Sequence, residues 1–214
     1  KTKNNQQAKE IAAEGMKLYQ AEKYTDAENK FEKAASLNPT DSSYYFQYGV
    51  CLYRNEKYSQ SIVVLRVAEG PNVNAVEKEY YEGLDYFKMK DLENAQKHFT
   101  NVKAKNDKSL SPSSSFFSGI INFQKENYDG AKSDFEYVLD QSSDPALDKQ
   151  AETYIEQIAN AMAFKKEQSK KFLVTLTAGV MYDSNVSSTG RTLMSALTTD
   201  AYGIHDSLSG TLEY

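Results

Sequence analysis

Few side chains in this 214-residue sequence are of the types that bind metals or act as nucleophiles, and those few are scattered. The sequence has two histidines, His98 and His205, and one cysteine, Cys51. Neither histidine has a cysteine or carboxylate at the spacing typical of metal ligands, and His98 is expected at the surface of a helix. Cys51 falls within a helical pattern, where a small buried thiol is the expected role.

One further string, Asp-Ser-Asn at 183–185, could suggest a calcium loop. It has no additional acidic partners, so a turn is the better interpretation. The sequence also lacks a glycine-rich phosphate loop and a nucleophile elbow. We therefore expect no enzymatic activity, no cofactor and no metal site.

The composition argues against nucleic acid as a partner. Lysine and arginine number 25 against 30 acidic residues, a net charge of −5, whereas phosphate binding requires a basic surface. The aromatic residues are 16 Tyr and 10 Phe without Trp, which suits surfaces that are half apolar and half wet. No run approaches the roughly 20 apolar residues of a membrane-spanning helix. The chain begins at Lys1, as a removed signal peptide or a trimmed start would leave it.

A repeat dominates the first two-thirds of the chain. Glycines recur at steps of 34, 34 and 36 residues, namely Gly15, Gly49, Gly83 and Gly119. Each is followed 12 residues later by a small side chain and four further on by a bulky one. The small set is Ala27, Ser61, Ala95 and Ala131, and the bulky set is Phe31, Leu65, Phe99 and Phe135.

This pattern resembles the tetratricopeptide repeat, a 34-residue helix–turn–helix unit, over about residues 8–145. Pro39 stands at the family's closing position, whereas Ser61 replaces the usual Ala and the third unit lacks its Pro. The resemblance implies an all-α, right-handed solenoid in which the glycine lets the two helices of a unit approach closely. A further helix is predicted from about Pro145 to Lys171, capping and extending the solenoid.

The family binds extended or helical segments in a groove lined by the first helix of each unit. Carried over residue by residue, the resemblance implies an apolar trough for a peptide or protein client, with a polysaccharide as an alternative. For any one ring, packing between helices is the competing interpretation. The predicted groove residues are Tyr19, Phe46, Tyr53, Tyr80, Phe87, Phe116 and Phe123.

From residue 172 the side chains alternate between apolar and small or polar, which predicts a β-strand over 172–183. A loop to about Gly203 and a second alternating piece, residues 206–214, would complete a hairpin. We expect the chain to continue into further strands, with a soluble hairpin docked on the solenoid as the alternative. The membrane-facing side would carry Phe172, Val174, Leu176, Ala178, Val180 and Tyr182.

The string Gly-Val-Met-Tyr-Asp-Ser-Asn-Val at 179–186 is similar to the first barrel strand of repeat-containing outer-membrane proteins. These are the surface lipoprotein assembly modifiers and, in plan, the exopolysaccharide export porins. The resemblance implies three parts: repeats over 1–145, a connecting helix over 146–171 and the first strands of an outer-membrane β-barrel over 172–214. The implied function is a periplasmic scaffold that captures a client and passes it to the barrel. A soluble adaptor or chaperone with no membrane part is the alternative.

Overall fold

The computed structural model describes residues 2–178, 195–199 and 206–210. Over residues 2–178 the backbone forms helices joined by short turns. In chain order they are α1 (Thr2–Gln20), α2 (Tyr24–Leu37), α3 (Ser42–Arg54), α4 (Tyr58–Val67), α5 (Ala75–Lys88), α6 (Leu92–Lys103), α7 (Leu110–Gln124), α8 (Tyr128–Gln141) and α9 (Pro145–Ala178). The first eight helices pair in sequence order as four units, each with a first and a second helix, and this confirms the predicted tetratricopeptide-like solenoid.

Capping side chains stand at the starts of α3, α5, α6 and α8. Asp41 precedes α3 and its carboxylate accepts a hydrogen bond from the Ser43 amide, while the Asn74 side chain accepts from two amides of α5. Asp91 and Asn127 play the same part before α6 and α8. Such side chains satisfy amides that have no partner within the helix, which stabilises each start by about 1 kcal/mol.

The repeated glycines have the role predicted for them. A Cβ atom on Gly49 would lie 2.6 Å from the Leu65 side chain, and one on Gly83 would lie 2.9 Å from the Phe99 ring. Real Cβ atoms do not approach other atoms so closely, so each glycine is required by the contact between first and second helix. The small and bulky sets of the second helices are both fully or almost fully buried.

Each unit turns sharply between its two helices, and a non-glycine residue adopts a left-handed conformation there. The φ angles are 58° at Glu22, 61° at Glu56, 65° at Lys90 and 56° at Glu126. In the second unit the Lys57 amide donates to the Leu52 carbonyl, 2.9 Å away, across this residue. The pattern is the helix-ending motif that usually employs glycine, so these four turns are locally strained.

The chain divides into two compact units, Lys1–Ile155 and Glu156–Tyr214. In the first, the start of α9 adds a helix after the fourth repeat, and its ring Tyr154 stacks on Phe135 with centroids 4.8 Å apart. The predicted further helix is confirmed in its start at Pro145. The exact domain boundaries stay predictions.

The predicted strand over 172–183 is wrong over its first part, because α9 continues to Ala178. Phe172, Val174, Leu176 and Ala178 are therefore helical, and Val180 and Tyr182 lie outside the described residues. An established helix extends at little cost, and apolar residues at 172, 173 and 176 also satisfy helical spacing, so alternation alone was not decisive.

Two short strands lie further along the chain. β1 (Ser195–Thr199) pairs antiparallel with β2 (Asp206–Gly210), and Leu197 faces Leu208 in the register. The position of β1 differs from the prediction, which placed a loop there and paired the second strand with residues 172–183. Among the described helices, none combines the length and apolar character that a membrane span requires.

Candidate partner-binding face

The seven predicted groove residues do not share one environment. Phe46 and Phe116 are buried, and the other five are half-buried: Tyr19, Tyr53, Tyr80, Phe87 and Phe123. Phe46 packs edge-on against Tyr81 at a centroid distance of 6.2 Å, and Phe116 contacts Phe135 at 5.7 Å. These two rings belong to the core, so a partner cannot reach them as a lining of the surface.

Three of the half-buried rings lie in the last turn or two of a first helix and pack against the start of the next helix. Tyr19 lies 5.3 Å from Tyr24, and Tyr53 lies 5.8 Å from Tyr58. Phe123 lies 5.8 Å from Tyr128 in the same way. Each ring therefore covers the turn of its own unit and keeps part of its surface open to solvent.

Rings that the sequence reasoning missed connect the units. Tyr81 contacts Tyr53 of the preceding unit at 5.5 Å, and Phe117 contacts Phe87 at 5.2 Å. Tyr154 contacts Phe123 at 5.8 Å. A signal for two of them was present, because Tyr81 and Phe117 stand two residues before the repeated glycines of α5 and α7.

The rings together form a continuous row along the first helices, which we call the aromatic ladder. Neighbouring members have centroids 5.2–6.4 Å apart. Its members are Phe46, Tyr53, Tyr80, Tyr81, Phe87, Phe116, Phe117, Phe123 and Tyr154.

Arg54 extends the aromatic ladder to the first unit. Its Nε donates a hydrogen bond to the Tyr19 hydroxyl at 3.2 Å, and its guanidinium carbon lies 5.8 Å from the centre of the Tyr24 ring and 5.9 Å from that of Tyr53. The residue is exposed, so part of the guanidinium stays available to a ligand. A guanidinium held over rings suits a carboxylate or carbonyl partner that arrives with apolar groups.

The hydroxyls of Tyr53, Tyr80 and Tyr81 are neutral at physiological pH. Burial raises the pKa of Tyr80 to about 12, and burial also raises the pKa of Tyr53 and Tyr81 above the usual tyrosine value. The ladder therefore offers apolar ring faces and uncharged hydroxyls, which can donate and accept hydrogen bonds.

Away from the ladder, the structure confirms the prediction for Cys51 and corrects the one for His98. Cys51 is fully buried and burial raises the pKa of its thiol to about 12, which confirms the expected inert packing role. The prediction that His98 is a surface residue is wrong, because its ring is half-buried and stacks on Tyr86. Two carboxylates that are distant from it in the sequence, Glu79 and Glu82 of α5, lie near its Nδ1 atom.

The fold defines the described helices as a tetratricopeptide repeat solenoid. Residues 13–73 match the tetratricopeptide repeat family. The sequence therefore carries the family's pattern most clearly in its first two units, and the structure extends that architecture through the fourth unit.

Solved structures of the same architecture are similar to this chain. MamA matches with a TM-score of 0.62 at 15% identity, covering 80% of this chain and 90% of its own. A tetratricopeptide repeat protein from Parabacteroides merdae has a TM-score of 0.61 at 14% identity, covering 73% of this chain and 61% of its own. YrrB has a TM-score of 0.58 at 21% identity, covering 68% and 74%. At these identities the likeness is one of fold. No curated protein matches the sequence.

Proposed function

We propose that this protein is an interaction scaffold that holds a peptide or protein segment against the first-helix face of its repeats. The observation that carries the proposal is the aromatic ladder, most of whose rings keep part of their surface open to solvent. Partly exposed rings supply large contact areas and lose little side-chain freedom on binding. YrrB, which is similar in fold, is described as having an unusual peptide-binding site, and this supports the proposal.

The chemistry of the face favours an apolar segment with an acidic or carbonyl group near one end. Ring faces along the ladder would receive apolar side chains, while Arg54 would meet the oxygen atoms of the partner. A negatively charged partner also suits the site locally, although the chain as a whole carries a net charge of −5. The aromatic ladder is compatible with sugar stacking, so a polysaccharide is the competing ligand.

The test begins with peptides selected from a random displayed library on the full 214-residue chain. Binding of the selected peptide is then measured by fluorescence anisotropy to Tyr19→Ala, Arg54→Gln and Phe123→Ala. We expect each change to weaken binding by about tenfold or more, as removal of a central contact does.

Matched controls are Val63→Ala and Val67→Ala on α4, which are 64% and 59% exposed. These changes remove exposed apolar groups away from the ladder and should leave the affinity unchanged. Binding by Tyr19→Ala, Arg54→Gln and Phe123→Ala equal to that of the unchanged chain, or loss confined to the α4 variants, would contradict the proposal. Circular dichroism of each variant separates loss of the site from loss of the fold.

The place of action is a further part of the proposal. We propose that the scaffold acts in the periplasm and is attached to the outer membrane through the segment after α9. The support is the similarity of residues 179–186 to the first barrel strand of repeat-containing outer-membrane proteins. The rival is a soluble adaptor or chaperone. Fractionation of the natural host distinguishes them, because the proposal expects the protein in the outer-membrane fraction and the rival expects it in a soluble one.

A further inference from the structure

We propose that Glu79, Glu82 and His98 form a binding site for a divalent transition metal ion of the zinc class. The two glutamates are three residues apart on α5, so they lie on the same side of that helix. His98 belongs to α6, the second helix of the same unit. The potential ligand atoms of the three residues all lie within 4.8 Å of one another.

The two distances from His98 to the carboxylates are close to those between ligands of a tetrahedral ion. His98 Nδ1 lies 3.1 Å from Glu79 Oε1 and 3.5 Å from Glu82 Oε2. Ligand atoms bound at about 2.0–2.2 Å from a tetrahedral zinc ion lie roughly 3.3–3.6 Å from each other. An ion could therefore enter between these groups with small side-chain adjustments.

Glu82 is a buried carboxylate beside the imidazole. Its side chain is only 7% exposed, and its Oε2 atom lies 3.5 Å from the His98 Nδ1 atom. A carboxylate so far removed from water is costly to keep ionised, and a bound divalent ion would offset that cost.

The Nδ1 atom of His98 is placed to bind a metal ion. Nδ1 of His98 is buried and makes no hydrogen bond among the described residues, in spite of its short distance to Glu79. Metal binding requires a neutral imidazole with a free nitrogen.

Outer groups hold two of the ligands in place. The Asn101 Nδ2 atom donates a hydrogen bond to Glu79 Oε1 at 2.6 Å. The Tyr86 ring stacks on His98 at 5.2 Å, and its hydroxyl accepts a hydrogen bond from Arg66 at 2.7 Å. Such contacts fix the orientation of ligands and are a regular part of metal sites.

The ligand set favours zinc over calcium and magnesium. One imidazole and two carboxylates give a net charge of −2 and mixed nitrogen and oxygen donors, whereas calcium and magnesium prefer oxygen alone. Three protein ligands leave a fourth position for water, and the partial exposure of Glu79 and His98 would let the ion enter. A bound ion would join α5 to α6 and stabilise the third unit.

The experiment uses the full chain without a histidine tag, stripped with a chelator. Zinc is titrated calorimetrically, and the unfolding temperature is measured with and without zinc. We expect one ion per chain and a rise in the unfolding temperature. The variants Glu82→Gln and His98→Gln should each weaken binding by at least tenfold, as loss of one ligand from a three-ligand site requires.

His205→Gln is the matched control, because the sequence has no histidine besides these two and His205 is not a ligand in the proposal. It should bind zinc like the unchanged chain. Retained binding by His98→Gln and Glu82→Gln, or no zinc binding by the unchanged chain, would overturn the site. If a variant fails to fold, imidazole ¹⁵N NMR of the unchanged chain replaces it as the test. Zinc should shift the Nδ1 signal of one histidine, and the same shift should be seen in His205→Gln.

Discussion

Gly119 and Phe135 are in such close contact that a Cβ atom on the glycine would lie 2.8 Å from the ring Cζ. Gly119 belongs to the first helix of the fourth unit and Phe135 to the second, and the ring is fully buried. The fit between these helices therefore depends on a missing methyl group. The same relationship recurs between Gly83 and Phe99 of the third unit, where the distance would be 2.9 Å.

Gly119→Ala should destabilise the protein. Overpacking against a buried ring costs about 1–3 kcal/mol, and the better helix propensity of alanine offsets about 1 kcal/mol. We expect a net loss of up to about 2 kcal/mol in the free energy of unfolding, measured by urea titration. Gly15→Ala is the control, because its Cβ would lie 3.1–3.2 Å from Lys30 and Phe31, and the two effects should nearly cancel. Equal losses in both variants would contradict the account.

The buried Asp85 should make the free energy of unfolding depend on pH. The residue is fully buried on α5, and neither carboxylate oxygen has a hydrogen-bond partner among the described residues. The Ser61 hydroxyl is close, but its single proton is donated to the Gly49 carbonyl at 2.9 Å. Burial accordingly raises the pKa of Asp85 to about 7, although Ser61 opposes the shift.

Stability should fall as the pH rises from about 4 to about 7. In that range the folded state keeps a proton on Asp85 that the unfolded state has lost, so raising the pH favours unfolding. At one pKa unit per 1.4 kcal/mol, the loss is on the order of 4 kcal/mol at most. Asp85→Asn should reduce this slope and stabilise the protein at pH 7. A variant whose urea midpoint follows the unchanged chain at every pH would refute the assignment.

The left-handed turns predict a stabilising substitution. Glu56 has a φ of 61° at the end of α3, a conformation that costs a non-glycine residue roughly 1 kcal/mol. Glu56→Gly should therefore raise the free energy of unfolding by about 0.5–1 kcal/mol. Gln60→Gly, at an exposed position inside α4, should lower it by a similar amount. The unfolding temperatures of the two variants should shift in opposite directions. A lower unfolding temperature in both would show that the turn is not strained.

The repeat was predictable from sequence because its signal is periodic and steric. Glycine, a small residue and a bulky residue recur at fixed separations, and their contacts are local to one helix pair. The start of α9 followed from Pro145 in the same way, since proline is favoured in the first turn of a helix.

The parts that could not be predicted depend on contacts between helices. Whether Phe46 or Tyr53 is open to solvent depends on Tyr81 of the next unit, which packs on both. The metal-ligand group joins positions 79, 82 and 98, a separation that no short motif contains.

The central claim is that the first-helix face is the binding face. Hydrogen–deuterium exchange of the full chain, with and without the selected peptide, tests it most directly. We expect slower exchange in the last turns of α1, α3, α5 and α7 and in the turns that follow them, where the half-buried rings lie. Slowing confined to α4 around Val63 and Val67, or to residues beyond α9, would contradict the account.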